Sequence, residues 1–156
     1  MPLLRDVDRE NLRKELARLT TPVKLVFFSQ ALDCDYCLLT KQVLEEITSL
    51  TDKVQLQEYN FVTDKQAVFD YKIARVPAIA VVRMEQPTLL ITGNEKPRER
   101  DYGIRYYGVP AGFEFASLIG DIMDVSAGES GLSPQSKAAI KQLQQPLHLQ
   151  VFSTPT

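Results

Sequence analysis

Two cysteines separated by two residues, in the stretch CDYC at positions 34–37, are the side chains of this chain best suited to covalent chemistry, and they are its only cysteines. If the first thiol lies at the start of a helix, free N–H groups and the helix dipole stabilise its thiolate. The second thiol, one turn on, can then attack the mixed disulfide that the first has formed. The spacing predicts thiol–disulfide exchange, with Cys34 as the attacking catalytic residue and Cys37 as the resolving one.

Other roles for the cysteine pair stay open at this point. A structural zinc site takes about four ligands, and the single histidine, His148, lies far along the chain. We therefore expect no metal bound within one molecule. The pair could instead be a remnant without activity, or Cys34 from two chains could bridge a metal or a cluster.

The neighbours of Cys34 modify this hypothesis. Asp33 and Asp35 flank it, and nearby negative charge raises the pKa of a thiol, unless both carboxylates face water, where their effect is small. Tyr36, between the cysteines, either contacts the substrate or is simply the first residue of the helix.

A second candidate feature is Val76-Pro77, directly before the apolar run AIAVVRM. Proline at a strand start cannot donate to the hydrogen-bond ladder. An X-Pro bond is cis in only about 5–6% of folded cases, so these residues alone predict a trans bond. If the bond is cis and close to the thiols, the backbone of Val76 is free to pair with an extended substrate segment.

The surrounding sequence predicts an alternation of helices and strands that positions these residues. Apolar residues at helical spacing, and β-branched or aromatic runs, indicate the order α-β-α-β-α-β-β-α. Parallel strands need crossovers, so we expect an α/β fold with helices on both faces of a sheet. The predicted helices cover 7–20, 37–50, 64–72 and 113–125, and the predicted strands cover 23–29, 54–61, 78–84 and 102–107.

The C-terminal residues repeat the start of this pattern. We predict a polar linker from 126, a helix over 134–145 capped by Ser133, and a strand over 147–153. The last stretch, QPLHLQVFS, is a near copy of TPVKLVFFS close to the beginning, which indicates an internal repeat cut short. Because an open strand edge promotes association, we expect 147–153 to pack onto the first unit or to pair with a second molecule.

Charge and hydropathy argue against other classes of function. The net charge is -2 and the pI about 5.5, without the basic face that phosphate binding needs, so we expect no nucleic-acid partner. The N-terminus carries frequent charges and no secretory apolar core, and no apolar run approaches the roughly 18 residues of a membrane span. These features predict a soluble cytoplasmic protein that does not bind membranes.

The order strand–CDYC–helix, followed by Val-Pro before a strand and by a closing helix, resembles the thioredoxin/glutaredoxin superfamily over about residues 15–125. The stretch DYGIRYYGVPAGFEFASLIGDIMDVSAGES resembles the N-terminal unit of the two-unit, glutaredoxin-like protein disulfide oxidoreductases of archaea and thermophiles. The resemblance implies a thioredoxin-like domain over 1–125, with a central mixed sheet flanked by helices. It further implies a linker over 126–132 and the first helix and strand of a second, truncated unit over 133–156.

The same resemblance implies a function. Cys34 and Cys37 become the active-site dithiol, and Pro77 a cis-proline that faces it, with Val76 presenting its backbone to the substrate. The implied activity is a thiol–disulfide oxidoreductase that acts on protein disulfides. It needs no cofactor beyond its redox-active disulfide and takes electrons from a donor such as a thioredoxin-reductase-like flavoenzyme. The alternative is a redox-weak docking unit of a two-unit oxidoreductase.

Three features depart from the family pattern. Leu32 and Asp33 stand where glutathione-binding glutaredoxins tend to carry a lysine, so glutathione binding is not predicted. The strand VKLVFFS lacks the buried acid that thioredoxins carry before the motif, which bears on proton transfer to Cys37. The segment 85–101 is longer than the family's β-hairpin, and its apolar stretch TLLIT is a candidate strand.

Overall fold

The computed structural model describes residues 3–85 and 97–152. Over these residues the helices are α1 (Asp6–Leu16), α2 (Cys37–Thr48), α3 (Lys65–Asp70), α4 (Phe113–Ala127) and α5 (Pro134–Lys141), and the strands are β1 (Val23–Ser29), β2 (Val54–Asn60), β3 (Ala78–Glu85) and β4 (Arg98–Tyr107). Within the described ranges, no helix is both long and apolar enough to cross a bilayer.

The four strands form one mixed sheet in the order β2-β1-β3-β4. β1 pairs in parallel with β2 and antiparallel with β3, and β4 is antiparallel to β3. A parallel pair requires a crossover connection, which α2 supplies. The loop between β1 and α2 therefore lies at one end of the sheet, and the predicted α/β class with a central mixed sheet is confirmed.

Each face of the sheet has its own apolar core. Leu25 and Phe27 of β1 pack with α1, α2 and α4 on one face. Val26 and Phe28 pack with α3 on the other face. Because β1 is buried on both faces, its sequence is a nearly continuous apolar run, interrupted by Lys24, rather than an alternating one. The strand ends where the loop to the cysteines begins.

The start of β4 and the end of α4 are among the element boundaries that differ from the predictions. β4 begins at Arg98, four residues before the predicted strand 102–107, because the charged side chains of an edge strand can face water while its backbone pairs. α4 continues to Ala127, so the predicted linker does not begin at Ser126, which is 1% exposed. The candidate strand TLLIT falls at 88–92, outside the described residues.

Ser126 joins the end of α4 to the turn before β1. Its hydroxyl accepts hydrogen bonds from the N–H groups of Thr20 and Thr21, both at 3.0 Å, and donates to the carbonyl of Thr21 at 2.6 Å. The Arg83 guanidinium donates to the carbonyls of Val125 and Ser126 at 3.2 and 2.8 Å. This places a cation at the negative end of the α4 dipole.

β4 carries a bulge in its middle. Ala80 pairs with Arg105 and Val82 pairs with Asp101, so three residues of β4 lie opposite one residue of β3. Gly103, in the bulge, has φ +83°, a conformation that glycine adopts freely. The carboxylate of Asp101 accepts two hydrogen bonds from the Arg105 guanidinium, at 2.9 and 2.5 Å, and one from the Gly103 N–H at 2.9 Å. One carboxylate therefore holds both ends of the bulge.

The C-terminal segment is less regular than predicted. Ser133 caps α5 by accepting a hydrogen bond from the Ser136 N–H at 3.1 Å, as predicted, but α5 ends at Lys141. Residues 147–152 form no strand and are exposed, so for these residues the predicted strand over 147–153 and its packing onto the first unit are wrong. A strand needs a neighbour that pairs with its N–H and C=O groups, and a repeated sequence does not supply that neighbour.

Candidate active site at the end of the sheet

Cys34 and Cys37 form a disulfide, with their Cα atoms 5.5 Å apart. A turn closed by the hydrogen bond from the Cys37 N–H to the Cys34 carbonyl, at 3.3 Å, brings the two residues together. α2 begins only at Cys37, because the carbonyl of Tyr36 accepts its first hydrogen bond, from the Thr40 N–H at 2.9 Å. The predicted helix over 37–50 begins at the same residue as α2, and Cys34 lies in the turn just before the first helical N–H groups.

The two cysteines differ in exposure. Cys37 is 7% exposed and belongs to the core between the sheet and α2. Cys34 is half-buried and packs against the margin of the same core. Because an incoming thiolate attacks the disulfide sulfur that it can reach, this geometry favours Cys34 as the residue that forms the mixed disulfide.

Local hydrogen bonds hold the cysteine loop at both ends. Asp33 has φ +55°, and its carbonyl accepts a hydrogen bond from the side-chain amide of Gln30 at 3.2 Å. Thr40 is fully buried, and its hydroxyl donates to the carbonyl of Tyr36 at 2.8 Å. The sequence signal for Thr40 is its position four residues after that carbonyl, the spacing at which threonine bonds back along a helix. Sequence reasoning did not select it.

The other predicted site residues of the loop lie at the surface. Asp33 and Asp35 are exposed, and Tyr36 is 61% exposed. Over residues 3–85 and 97–152, no ion pair involves either aspartate. The structure therefore places one solvated carboxylate on each side of Cys34, and an exposed aromatic ring beside Cys37.

The peptide bond between Val76 and Pro77 is cis, as the family resemblance implies and contrary to what the two residues alone predict. The antiparallel register of β1 and β3 places Pro77 opposite Ser29, the last residue of β1 before the loop to Cys34. Val76 and Cys34 pack against the same core cluster. The sheet therefore brings the predicted proline segment and the cysteine pair to one end of the molecule.

The backbone of Val76 is available for pairing. The carbonyl of the next residue, Pro77, accepts a hydrogen bond from the Gly108 N–H at 3.0 Å, which ties this segment to the end of β4. Among the described residues, no hydrogen bond engages the N–H or the carbonyl of Val76 itself. An extended segment lying alongside can therefore form main-chain hydrogen bonds with it.

A charged network lies between α2 and β2, one helical turn beyond Cys37. Glu58 accepts hydrogen bonds from Lys41 at 2.6 Å and from the Ser29 hydroxyl at 2.8 Å. Burial acts to raise the pKa of Glu58, but the hydrogen bonds from Lys41 and Ser29 and the charge of Lys41 outweigh it and hold this pKa below its usual value. Glu58 is therefore ionised and paired at neutral pH, so it serves as a partner of Lys41 rather than as a proton donor to the thiols.

Sequence reasoning missed a set of exposed apolar side chains at this end of the sheet. Leu32 precedes the cysteines, Leu38 follows them, Val62 comes shortly after β2, and Phe113 begins α4, with exposed fractions of 78%, 69%, 57% and 92%. The register places the ends of β1, β2 and β4 at the same end of the sheet. Exposed apolar side chains near one end of a sheet are typical of a surface that binds a partner. Periodicity does not mark them, because each lies in a loop or in the first turn of a helix.

Neither a protein-family model nor a curated protein matches the chain. Solved structures do match it. A protein disulfide oxidoreductase from Aeropyrum pernix K1 is 26% identical with a TM-score of 0.71, and the match covers 89% of this chain and 55% of that one. The NTD_N/C domain of alkylhydroperoxide reductase AhpF from Enterococcus faecalis is 25% identical with a TM-score of 0.70, and the match covers 88% of this chain and 59% of that one.

A structure of AhpF carrying the C503A mutation, also from Enterococcus faecalis, is 25% identical with a TM-score of 0.71, and covers 90% of this chain and 61% of that one. The chain thus spans between 55 and 61% of the length of these three structures. The strand order, the disulfide and the matches together support thiol–disulfide redox chemistry. The chain has a thioredoxin-like fold with a C-x-x-C disulfide at Cys34–Cys37, and its structure is similar to those of an archaeal protein disulfide oxidoreductase and the N-terminal domain of AhpF.

Proposed function

We propose that this protein is a thiol–disulfide oxidoreductase that acts on the disulfide bonds of protein substrates. The observation that carries the proposal is the Cys34–Cys37 disulfide between the end of β1 and the start of α2, with Cys34 the more exposed residue. A C-x-x-C pair between a strand and a helix is typical of redox exchange. The similarity to a protein disulfide oxidoreductase supports the same class of chemistry.

The proposed reaction has two exchange steps. The Cys34 thiolate attacks one sulfur of the substrate disulfide, forms a mixed disulfide and releases one substrate thiolate. The Cys37 thiolate then attacks the Cys34 sulfur, releases the second substrate thiolate and re-forms the Cys34–Cys37 disulfide. Two electrons pass to the substrate, whose thiolates take protons from water, and oxidation of a substrate dithiol is the same sequence reversed. The cysteine pair is itself the redox group, so the proposal needs no other cofactor.

Substrate binding is proposed at the free backbone of Val76 and the apolar side chains around it. Strand addition supplies affinity through main-chain hydrogen bonds without requiring a particular sequence. Tyr36 adds an exposed ring beside the cysteines, and Pro77 orients the segment that presents Val76.

The electron donor and the direction of electron flow belong to the same proposal. We propose that a flavoprotein of the thioredoxin-reductase class re-reduces the pair, in the cytoplasm, where thiols are kept reduced. Asp33 and Asp35 flank Cys34 but face water, so they destabilise the Cys34 thiolate only slightly and make the couple only slightly more reducing. Replacing both with asparagine should therefore move E°′ by a small amount, to a less negative value.

The first test is the equilibrium of the pair in a series of dithiothreitol or glutathione buffers, followed by mass spectrometry after thiol alkylation, with Cys34→Ser as control. We expect a reversible two-electron transition with E°′ between about -270 and -180 mV, the range of known exchangers. A pair that never forms its disulfide, or never releases it, would overturn the proposal. That result would favour the redox-weak docking unit, which the exposed apolar side chains would serve.

A second test assigns the roles of the two cysteines. Cys37→Ser should accumulate a mixed disulfide between Cys34 and insulin, visible on a non-reducing gel, because no resolving thiol remains. Cys34→Ser should accumulate none, since Cys37 is buried. Equal trapping by the two variants would contradict the assignment of Cys34 as the attacking residue.

A further inference from the structure

An arginine lies directly before the substrate-presenting segment. Arg75 precedes Val76 and is exposed, and its guanidinium lies over the ring of Tyr107, 5.0 Å from the ring centroid. A cation over the face of a tyrosine ring is attracted to the electrons of the ring. This contact therefore favours the position of the Arg75 guanidinium over the ring.

The ring that holds Arg75 is itself fixed to the proline segment. Tyr107 ends β4 and pairs with Ala78, and the following residue, Gly108, donates its N–H to the carbonyl of Pro77 at 3.0 Å. The position of the guanidinium is thus tied to the backbone on which the substrate is proposed to pair. A main-chain segment bound at Val76 passes within reach of it, because consecutive residues of a strand rise about 3.3 Å.

The charge of Arg75 has no counter-ion in the part of the chain that the structure describes. In the cysteine loop the exposed charges are negative, those of Asp33 and Asp35. The site therefore has a positive side at the proline segment and a negative side at the cysteine loop. Such an arrangement distinguishes substrates by the sign of the charge next to their cysteine.

We propose that Arg75 is a specificity-determining residue, which selects protein disulfides with an aspartate or glutamate within two residues of the cysteine that reacts with Cys34. This inference rests on the proposed oxidoreductase function. The acidic side chain pairs with the guanidinium when the substrate backbone pairs with Val76, and Tyr107 keeps the guanidinium in position. A basic side chain at the same place is disfavoured by like charge.

The test uses disulfide-bonded peptides that are identical except for one residue, which is glutamate, glutamine or lysine. This residue is placed one or two positions before or after one cysteine. The measured quantity is the second-order rate constant for peptide reduction by the dithiol form of the full chain, at low and high salt. An exposed ion pair corresponds to a preference of roughly two- to fivefold. We expect the glutamate peptide to react faster than the glutamine peptide by about that factor in its best position, and the preference to shrink at high salt.

Variants separate this inference from the function on which it rests. Arg75→Gln should abolish the difference in rate between the glutamate and glutamine peptides, and Arg75→Glu should reverse the preference in favour of lysine. Arg100→Gln is the matched control, because Arg100 is also an exposed arginine stacked on a tyrosine, Tyr102 at 5.2 Å, but in the charged first half of β4. Tyr107→Phe should retain the preference and Tyr107→Leu should weaken it.

Two results would overturn the inference. One is an original chain that reduces all three peptides at equal rates. The other is a loss of preference in Arg100→Gln as large as that in Arg75→Gln, which would indicate a general effect of net charge. A chain that reduces none of the peptides, including the glutamine peptide, would overturn the oxidoreductase proposal and this inference with it.

Discussion

Replacing Ser126 with alanine tests whether the end of α4 stabilises the whole fold. Its hydroxyl pairs with three backbone groups, the N–H groups of Thr20 and Thr21 and the carbonyl of Thr21. A buried polar group left unpaired costs about 1–3 kcal/mol. Because Thr20 is exposed and Thr21 half-buried, water can form hydrogen bonds with some of the backbone groups that lose the serine hydroxyl. We therefore expect the free energy of unfolding to fall by about 2–3 kcal/mol, which is less than the cost of leaving all three backbone groups buried and unpaired.

Urea unfolding followed by circular dichroism measures this change. Ser117→Ala is the matched control, since Ser117 is exposed in the same helix and its hydroxyl donates only to the Phe113 carbonyl, at 3.1 Å. We expect the control to change stability by less than about 0.5 kcal/mol. The reasoning is refuted if Ser126→Ala also stays within about 0.5 kcal/mol of the original chain. The alkylation rate of reduced Cys34 should not change, because the threonines precede β1 and the cysteine loop follows it.

Three further predictions concern other parts of the chain. Gly128→Ala should destabilise the fold by about 1–2 kcal/mol, because φ is +74° and the added Cβ would meet an arginine side chain of β3. Gly120→Ala lies in open space within α4 and should stabilise the fold by up to about 1 kcal/mol. Urea unfolding that ranks the two variants in the opposite order would contradict this. The hydrogen bonds from Arg105, opposed by burial, hold the pKa of Asp101 below its usual value. The contribution of Asp101 to the free energy of unfolding is therefore fully present above its unfolded pKa near 3.9 and is lost as the pH falls through its folded pKa. Asp101→Asn should thus cost about 0.5–1 kcal/mol at pH 7 and progressively less as the pH falls through the folded pKa of Asp101, and a pH-independent difference in unfolding free energy would argue against the ion pair. Ending the chain after Gly128 removes the exposed apolar side chains of 147–152 and should abolish the pairing with a second molecule that the sequence predicts for 147–153, measured by sedimentation. A full chain that is monomeric at high concentration would rule that pairing out.

The elements that the sequence predicts well are those whose pattern has one physical explanation. The predicted strand 23–29 matches β1 residue for residue, because a β-branched and aromatic run of that length can only be buried on both faces. The C-x-x-C pair was recognisable from spacing alone. The cis bond before Pro77 was not, since those residues by themselves predict trans, and only the family resemblance indicated it.

The predictions fail where structure depends on distant partners. The predicted strand 102–107 leaves out the charged first half of β4, because charged residues in an edge strand and charged residues in a loop are alike in sequence. The predicted linker includes Ser126, because nothing in the sequence indicates that the turn at Thr20 packs against this small polar residue and buries it. Residues 147–152 have the composition of β1, yet they lack the two neighbouring strands that make β1 a strand.

The bulge in β4 limits which edge of the sheet can pair with an additional strand. A strand that is interrupted by a bulge at Gly103 and carries charged side chains over 98–101 is a poor template for another strand. In the described residues, β2 pairs only with β1, and it carries no such interruption along Val54–Asn60. Any strand contributed by another unit or another copy would therefore extend the sheet beside β2. The segment at Val76 leads into β3, on the other side of β1, so a substrate there and a strand beside β2 can be bound at the same time.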